Sequence, residues 1–279
     1  MRNGFEVYDR MRNGKEYNGA THSFGISVGG LDYIVKCDLR NAESGKMEYM
    51  AQHMYGAMGI EVQKVWIGKY RDKDAAIIKR IDGLGETNFL SKDDEIDYTM
   101  EDVKKRIPSK ENLDDKLYRI FIADFLFMNY DRKTSAITVH RSEGGFTVGK
   151  IIDNEGIFGH GTLKNEYFRI AKKSSEKTAL QLTEYMISSH KTMLDLPSCK
   201  NIVEVSNMIN GSESGRMVVS KIQLGDILNS TIESGRQAGI SDAEIRMMCG
   251  VITSRMHALE GMELEKIADH TMKGLNHLL

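Results

Sequence analysis

The 279-residue chain has few of the residues that stiffen or crosslink a fold. It contains 2 prolines, 1 tryptophan and 3 cysteines. Cys37, Cys199 and Cys249 stand far apart and form no CxxC pair, so we expect neither a disulfide framework nor a cysteine-based metal site. Cysteines used so sparsely are typical of a reducing compartment.

Long apolar runs and a strong charge of one sign are also missing. No run of about 18 uncharged apolar residues occurs, and the N-terminus has no signal-peptide core. We therefore expect no membrane partner and a cytoplasmic location, with secretion by a route without a signal peptide left open. The formal net charge of −2 gives no basic field, so we expect no nucleic-acid partner.

The composition that remains is that of a globular protein. Hydrophobic residues make up 41% of the chain and charged residues 28%, and 279 residues suffice for one large domain or two lobes. Several of the 17 methionines recur at helical spacing, as at Met47, Met50 and Met54, which indicates core filling.

One stretch combines a helix, a hairpin and two carboxylates. A helix-like run at 113–128 ends shortly before Asp131, and two β-like runs at 137–140 and 146–152 lead directly into Asp153. Phosphoryl transfer needs two such groups, one to accept the proton of the attacking hydroxyl and one to hold Mg²⁺ on the phosphates. An Asp can also simply cap a turn or end a strand. The ordered set of motifs favours phosphoryl transfer.

These residues carry a family resemblance. The segments 127–133 and 150–156 resemble the catalytic loop and the metal loop of the HipA-like serine/threonine kinases, a bacterial family. The catalytic loop of that family reads close to Asn-x-Asp-Arg-His-x-x-Asn, and Asn129, Asp131 and Arg132 match it.

Two positions depart from the family pattern. Lys133 replaces the His, and eukaryotic-type protein kinases carry a Lys at this position to neutralise the transferring phosphate. Ala136 replaces the final Asn, which binds the second Mg²⁺ in protein kinases. Because Ala136 cannot ligate a metal, we expect weaker metal–ATP binding or slower transfer, whether this alanine is natural or engineered. Asp153 could still hold one Mg²⁺, helped by Ser135, Asn154 or water.

The resemblance implies an α+β, bilobal, protein-kinase-like fold. It predicts a small β-rich N-lobe at residues 1–83 and a mostly helical C-lobe at 84–279. The likeness is specific over 120–160 and moderate over 21–82. The chain leaves no room for the extra N-terminal domain of full-length HipA toxins, so we expect a stand-alone kinase core.

A hairpin near the N-terminus contains a lysine in an apolar strand. The pattern at 21–38 predicts two strands that turn at Gly29 and Gly30, and the second strand carries Lys36. A lysine is costly to bury without an anionic partner, whereas at a sheet edge it can face water. The resemblance implies that Lys36 contacts the α- and β-phosphates of ATP.

The next segment offers the partner of this lysine. An amphipathic helix is predicted from Ser44 to Met58, with Gly59 ending it. By resemblance, Glu48 near the start of this helix pairs with Lys36; Glu43 is the alternative.

The rest of the N-lobe and the C-lobe give coarser predictions. Residues 1–20 predict an exposed β-ribbon or a loose arm, and two further β runs are predicted at 62–67 and 75–81. The end of the second run would be the hinge that binds adenine, through Lys79, Arg80, Ile81 and Asp82. Helices are predicted at 175–190, 224–235, 241–259 and 263–278.

The resemblance implies an ATP-dependent serine/threonine kinase that uses Mg²⁺ or Mn²⁺. Asp131 would orient the acceptor hydroxyl and accept its proton, while Lys133 stabilises the γ-phosphoryl group. Asn129 and Arg132 belong to the same catalytic loop and would brace it. Asp153 would hold the metal. The acceptor would be a protein or peptide Ser/Thr, with the chain itself included.

Two alternatives stay open from the sequence. Ala136 supports a pseudokinase, which would bind nucleotide or a partner without chemistry. A kinase of small molecules or modified peptides would share the same lobes, because acceptor recognition leaves no local signature in the sequence.

Overall fold

The computed structural model describes residues 5–7, 12–17, 22–37, 44–81, 113–129, 132, 136–142, 145–158, 207, 209–262 and 266. The strands are β1 (Phe5–Val7), β2 (Arg12–Tyr17), β3 (His22–Val28), β4 (Leu31–Cys37), β5 (Val65–Tyr70), β6 (Lys73–Lys79), β7 (Ile137–Ser142) and β8 (Gly145–Ile151). The helices are α1 (Ser44–Ala57), α2 (Leu113–Leu126), α3 (Glu213–Ser220), α4 (Leu224–Ala238) and α5 (Asp242–Leu259).

Six strands form one sheet in the order β1-β5-β6-β4-β3-β2. Only β1 pairs in parallel, with β5; the other neighbours in this sheet are antiparallel. The predicted hairpin is confirmed as β3 and β4. Its turn lies at Gly29 and Gly30, whose φ angles of +58° and +77° are ones that glycine adopts more readily than any other residue.

The two faces of the sheet are both apolar in the middle. Phe24, Ile26 and Val35 are buried in a cluster on one face. On the other face Ile34 packs with Ala76 and with Tyr49 of α1. Because side chains alternate along a strand, Lys36 lies on the same face as Ile34, which is the face that α1 covers. This alternation aims Lys36 at the helix.

Helix α1 joins the sheet to the larger core. Its methionines Met47, Met50 and Met54 are buried in a cluster with residues of α2, β7, β8 and α5, which confirms their predicted packing role. After α1, the chain turns at Gly59, whose φ is +70°. Glu48 lies just beyond the first turn of α1, because the helix begins at Ser44.

Helix α2 and the β7–β8 hairpin form the second part of the fold and touch the first through the backbone. The N–H of Ile151 donates to the carbonyl of Glu61 at 2.9 Å, and the N–H of Gln63 donates to the carbonyl of Ile151 at 3.3 Å. These bonds fix the end of β8 against the segment that follows α1. Strand β8 ends two residues before Asp153.

Several predicted boundaries differ from the structure. The runs predicted at 62–67 and 75–81 are β5 and β6, and the turn between them is tighter than expected. Arg71 and Asp72 form it with φ angles of 49° and 61°, which indicates a two-residue hairpin turn made without glycine. Residues 1–20 do not form the predicted exposed ribbon or loose arm where the structure describes them: β1 and β2 are the two opposite edge strands of the sheet, and Val7 is buried.

The C-terminal helices are confirmed where the structure describes them. Helix α4 covers the predicted 224–235, and α5 begins after Ser241, which forms the predicted capping box with Glu244. Helix α3 was not predicted. The predicted helix 175–190 and nearly all of 263–278 lie outside the described residues, as do 82–112, so the lobe division after residue 83 stays a prediction. Among the described helices, none has both the length and the apolarity needed to cross a bilayer.

Two glycines of α1 offer a matched test of the packing between helix and sheet. A Cβ on Gly45 would lie 2.8 Å from the backbone nitrogen of Ala76, whereas a Cβ on Gly56 meets no atom within 4 Å. We expect Gly45→Ala to lower the free energy of unfolding by about 1–3 kcal/mol through overpacking. Gly56→Ala should raise it by up to about 1 kcal/mol through helix propensity. Urea unfolding of both variants measures this; a stability loss in Gly56→Ala equal to that in Gly45→Ala would contradict the packing.

Candidate active site

Four charged side chains meet between the sheet, α1 and the segment after β8. The Nζ of Lys36 lies 3.5 Å from Oε2 of Glu48 and 3.8 Å from Oε2 of Glu155, and it donates a hydrogen bond to Oδ1 of Asp153. We call Lys36, Glu48, Asp153 and Glu155 the Lys36 cluster. The Lys36 side chain is 15% exposed and that of Glu48 is 0% exposed, so this ion pair is largely shielded from solvent.

Glu48 is the fixed point of the cluster. Its two carboxylate oxygens both accept from the backbone N–H of Asn154, at 3.0 and 3.1 Å. Burial, with the charges of Asp153 and Glu155 beside it, raises the pKa of Glu48 above its ordinary value, and the Lys36 charge and the bond from Asn154 offset this only in part. The carboxylate therefore joins the sheet, through Lys36, to the segment that carries Asp153.

Lys36 stays charged in this setting. Burial alone would lower the pKa of the Lys36 ammonium, but the carboxylates of Glu48, Asp153 and Glu155 together raise it above its ordinary value. A permanently charged ammonium held in place by anions is suited to contact a phosphate group.

Asp153 is the most accessible member of the cluster. Its side chain is 46% exposed, against 13% for Glu155. The residue has φ of +57°, an uncommon conformation for a residue other than glycine, and one that Asp tolerates better than most. Glu48, Asp153 and Glu155 each place a carboxylate oxygen within 4.8 Å of the others. Carboxylate oxygens are the ligands that Mg²⁺ prefers, so this donor set fits a divalent cation.

A second group of polar side chains is fully buried beneath the cluster. Arg132 donates from Nε to Oδ2 of Asp124 and from Nη2 to Oδ1 of Asp124, both at 3.1 Å. Tyr55 Oη also donates to Asp124, and Asn129 Nδ2 donates to Tyr55 Oη at 2.9 Å. We call Asp124, Arg132, Tyr55 and Asn129 the Asp124 network.

The two groups are joined by the residues around Asp153. Nη1 of Arg132 donates to the carbonyl of Ile152 at 2.9 Å, and Nη2 donates to Oδ1 of Asn154 at 2.6 Å. Arg132 therefore contacts both neighbours of Asp153, through the backbone carbonyl of Ile152 and the side chain of Asn154. The amide oxygen of Asn154, suggested by the sequence as a metal ligand, is directed at Arg132 instead.

The Asp124 network depends on its charges being paired. Burial alone would lower the pKa of Arg132, but Asp124 and Tyr55 raise it above its ordinary value. Both charged side chains are 0% exposed. Removing one member of such a pair leaves the other as an uncompensated buried charge, which is far costlier than losing a surface ion pair.

The structure brings together some of the predicted site residues. The cluster unites Lys36, Glu48 and Asp153, and the partner that the sequence preferred for Lys36, Glu48, lies within ion-pair distance. Asn129 and Arg132 are inside the protein and contact Asp124. Ala136 is also buried, at 4% exposure. Asp131, Lys133, Ser135, the rival partner Glu43 and the hinge residue Asp82 lie outside the described residues.

The remaining residues of the predicted hinge lie at the end of β6, an interior strand of the sheet, and just after it. The N–H of Lys79 donates to the carbonyl of Lys64 at 2.9 Å, and the N–H of Arg80 donates to the carbonyl of Asp32 at 3.0 Å. A backbone contact from an N–H to adenine would therefore fall to Ile81 or Asp82. Ile81 is partly buried.

Sequence reasoning missed three residues of the site. Asp124 and Tyr55 lie on helices and look like ordinary helical positions until the fold brings them to Arg132. A signal for Asp124 exists, since a carboxylate within the apolar run 120–128 needs a buried partner. Glu155 stands two residues after Asp153, and this closeness in the sequence is the only feature that points to it.

Comparison with known proteins identifies the fold. No family model matches the sequence, and no curated protein does. The proinflammatory kinase CtkA of Helicobacter pylori is similar in structure, with a TM-score of 0.71 at 16% identity over 97% of this chain and 99% of that chain. HipA of the Shewanella oneidensis MR-1 toxin–antitoxin system, solved with HipB and operator DNA, aligns with a TM-score of 0.45 at 10% identity, over 94% of this chain and 69% of that chain.

The likeness to CtkA extends over nearly the whole of both chains, and it shows the fold. The predicted α+β, bilobal, kinase-like fold is therefore confirmed.

The Asp124 network can be tested by breaking its ion pair without changing its shape. We expect Asp124→Asn to lower the free energy of unfolding by about 3–5 kcal/mol, because Arg132 would remain charged and buried without its anion. The matched control is Arg236→Gln, which breaks an ion pair to Asp242 whose side chains are 57% and 58% exposed. That change should cost less than about 1 kcal/mol in urea unfolding. Equal losses in the two variants would contradict the role given to the buried pair.

Proposed function

We propose that the chain is an ATP-dependent phosphotransferase, and specifically a HipA-like serine/threonine kinase. The observation that carries the proposal is the Lys36 cluster, in which a strand lysine meets a helix glutamate and the aspartate that follows β8. The fold shared with CtkA supports it, because a kinase uses these elements to hold the phosphates of ATP and their metal.

Lys36 would contact the α- and β-phosphates. In the structure its ammonium donates to Asp153, so the phosphates of a bound nucleotide would share or replace that partner. Glu48 would keep the ammonium in place during this exchange, since it is held by the backbone of Asn154. The adenine ring would take its backbone contacts at the hinge, from Ile81 or Asp82.

Asp153 would hold Mg²⁺ or Mn²⁺, and the metal supplies positive charge to the phosphate oxygens when bound. The donor set fits, because Asp153 is the most exposed carboxylate of the cluster. Arg132 holds the residues on both sides of it, through the backbone carbonyl of Ile152 and the side-chain oxygen of Asn154.

Asp131 and Lys133 would carry the transfer itself. The acceptor oxygen forms a bond to the γ-phosphorus as the bond to the β–γ bridging oxygen breaks. The proton of the acceptor hydroxyl goes to the carboxylate of Asp131, and Lys133 neutralises charge on the γ-phosphoryl oxygens. Arg132 stands between these two residues in the chain, and its buried bonds to Asp124 would help to position them.

A second candidate function is nucleotide binding without transfer. Ala136 favours it, because a buried methyl group stands at the position where kinases carry an amide ligand for the second metal. The acceptor is proposed as a protein or peptide Ser/Thr, the chain itself included; a small-molecule acceptor is the alternative.

Transfer and binding can be separated at Asp131. We expect Asp131→Asn to bind ATP with an affinity within about threefold of the wild type, while phosphate incorporation from γ-labelled ATP falls at least about a hundredfold. The charge change is matched by Asp226→Asn on the exposed face of α4, which should incorporate label as the wild type does. Wild-type incorporation by Asp131→Asn would contradict the assignment of the base. If the wild type and both variants bind ATP but none of them incorporates label, the result would favour nucleotide binding without transfer.

Lys36 can be tested by calorimetry in the presence of Mg²⁺. Replacing the ammonium by an apolar chain removes the charge that faces the phosphates, so Lys36→Met should weaken ATP binding at least about tenfold. Lys69→Met removes a 53% exposed lysine from the same sheet and should leave binding unchanged. Undiminished ATP affinity in Lys36→Met would place the phosphates elsewhere.

A further inference from the structure

Ala136, which stands where kinases carry a metal-binding asparagine, lies next to the segment that contains Asp153. The carbonyl of Ala136 accepts from the N–H of Ile152 at 2.8 Å, so this alanine is paired with the residue that precedes Asp153. Its methyl group has no lone pair to offer a cation. A kinase with this residue therefore lacks a protein ligand beside Asp153, unless another side chain supplies it.

Glu155 is the described side chain best placed to do so. It belongs to the same segment as Asp153, its side chain is 13% exposed, and its Oε2 lies 3.8 Å from Nζ of Lys36. The ligand oxygens of Asp153 and Glu155 lie within 4.8 Å of each other. Two oxygens bound to one Mg²⁺ at about 2.1 Å each can be at most about 4.2 Å apart, so a shift of under about 1 Å brings both onto one ion.

Glu48 is not equally suited, although it belongs to the same cluster. Its side chain is 0% exposed, and both of its oxygens already accept from the N–H of Asn154. Turning Glu48 towards a metal would break the bond that fixes the segment. Glu155 can move without breaking that bond.

The charge of the cluster also favours a cation. Three carboxylates face one ammonium, so the cluster carries a formal charge of −2 when all three are ionised. Burial makes excess charge of one sign costly. A divalent cation on the open side of Asp153 would balance it.

We propose that Glu155 is the second carboxylate ligand of the nucleotide's divalent metal and replaces the amide that Ala136 lacks. This proposal rests on the proposed function, since it concerns the metal of the same site. It assigns the ligand pair to Asp153 and Glu155, separated by one residue, in place of a pair drawn from the catalytic loop and the metal loop.

The test is Mn²⁺ binding, followed by electron paramagnetic resonance, to the full chain with a non-hydrolysable ATP analogue. We expect Glu155→Ala to weaken Mn²⁺ binding at least about tenfold, and Glu155→Gln to fall between it and the wild type, because an amide oxygen can still ligate. Adding Ala136→Asn to Glu155→Ala should restore the affinity to within about threefold of the wild type. Glu61→Ala removes an exposed carboxylate nearby and should change nothing.

The possible outcomes distinguish this proposal from the proposed kinase function on which it rests. Analogue binding without metal, measured in EDTA, should be the same for Glu155→Ala and the wild type, and thermal unfolding reports whether each variant is folded. Wild-type Mn²⁺ affinity in Glu155→Ala would overturn the proposal and leave the kinase assignment standing. If adding Ala136→Asn fails to restore the lost Mn²⁺ affinity, Glu155 does not replace the amide that is absent at position 136. A wild-type protein that binds no analogue under any condition would overturn the proposed function, and this proposal with it.

Discussion

The buried carboxylate of Glu48 is the constraint on which the site depends. It is held on one side by Lys36 of the sheet and on the other by the backbone N–H of Asn154. A buried charge is tolerated only when it is paired and hydrogen-bonded, so the three groups fix one another. Helix α1 thereby sets the distance between the strand lysine and the segment that carries Asp153.

Asn154 connects this constraint to a second one. Its N–H serves Glu48, and its side-chain oxygen accepts from Arg132, whose charge is balanced by Asp124 in the interior. Asn154 is thus held through its backbone N–H and through its side chain. The neighbouring side chains, Asp153 and Glu155, flank this anchored residue. A fixed residue with a carboxylate on either side suits a site that must hold metal and nucleotide.

Local patterns in the sequence were enough to predict part of this arrangement. The alternating strand around Lys36 and the helix carrying Glu48 each have their own periodicity, and the resemblance of the loops supplied the link to Asp153. The apolar run around Asp124 indicates a buried partner, but that partner and the role of Tyr55 could not be predicted, because they arise only when α1 and α2 pack together. The β5–β6 turn was placed too widely because Arg71 takes a positive φ that the sequence does not signal. The distance that favours Glu155 as a ligand likewise exists only in the folded chain.

The most direct test of the account is a crystal structure with Mn²⁺ and a non-hydrolysable ATP analogue. Anomalous scattering would locate the metal independently of the protein model. The account predicts a peak within about 2.5 Å of an oxygen of Asp153, with the analogue's phosphates in contact with Lys36. A metal bound elsewhere, or an analogue whose phosphates do not reach Lys36, would contradict the assignment of this cluster as the phosphate and metal site.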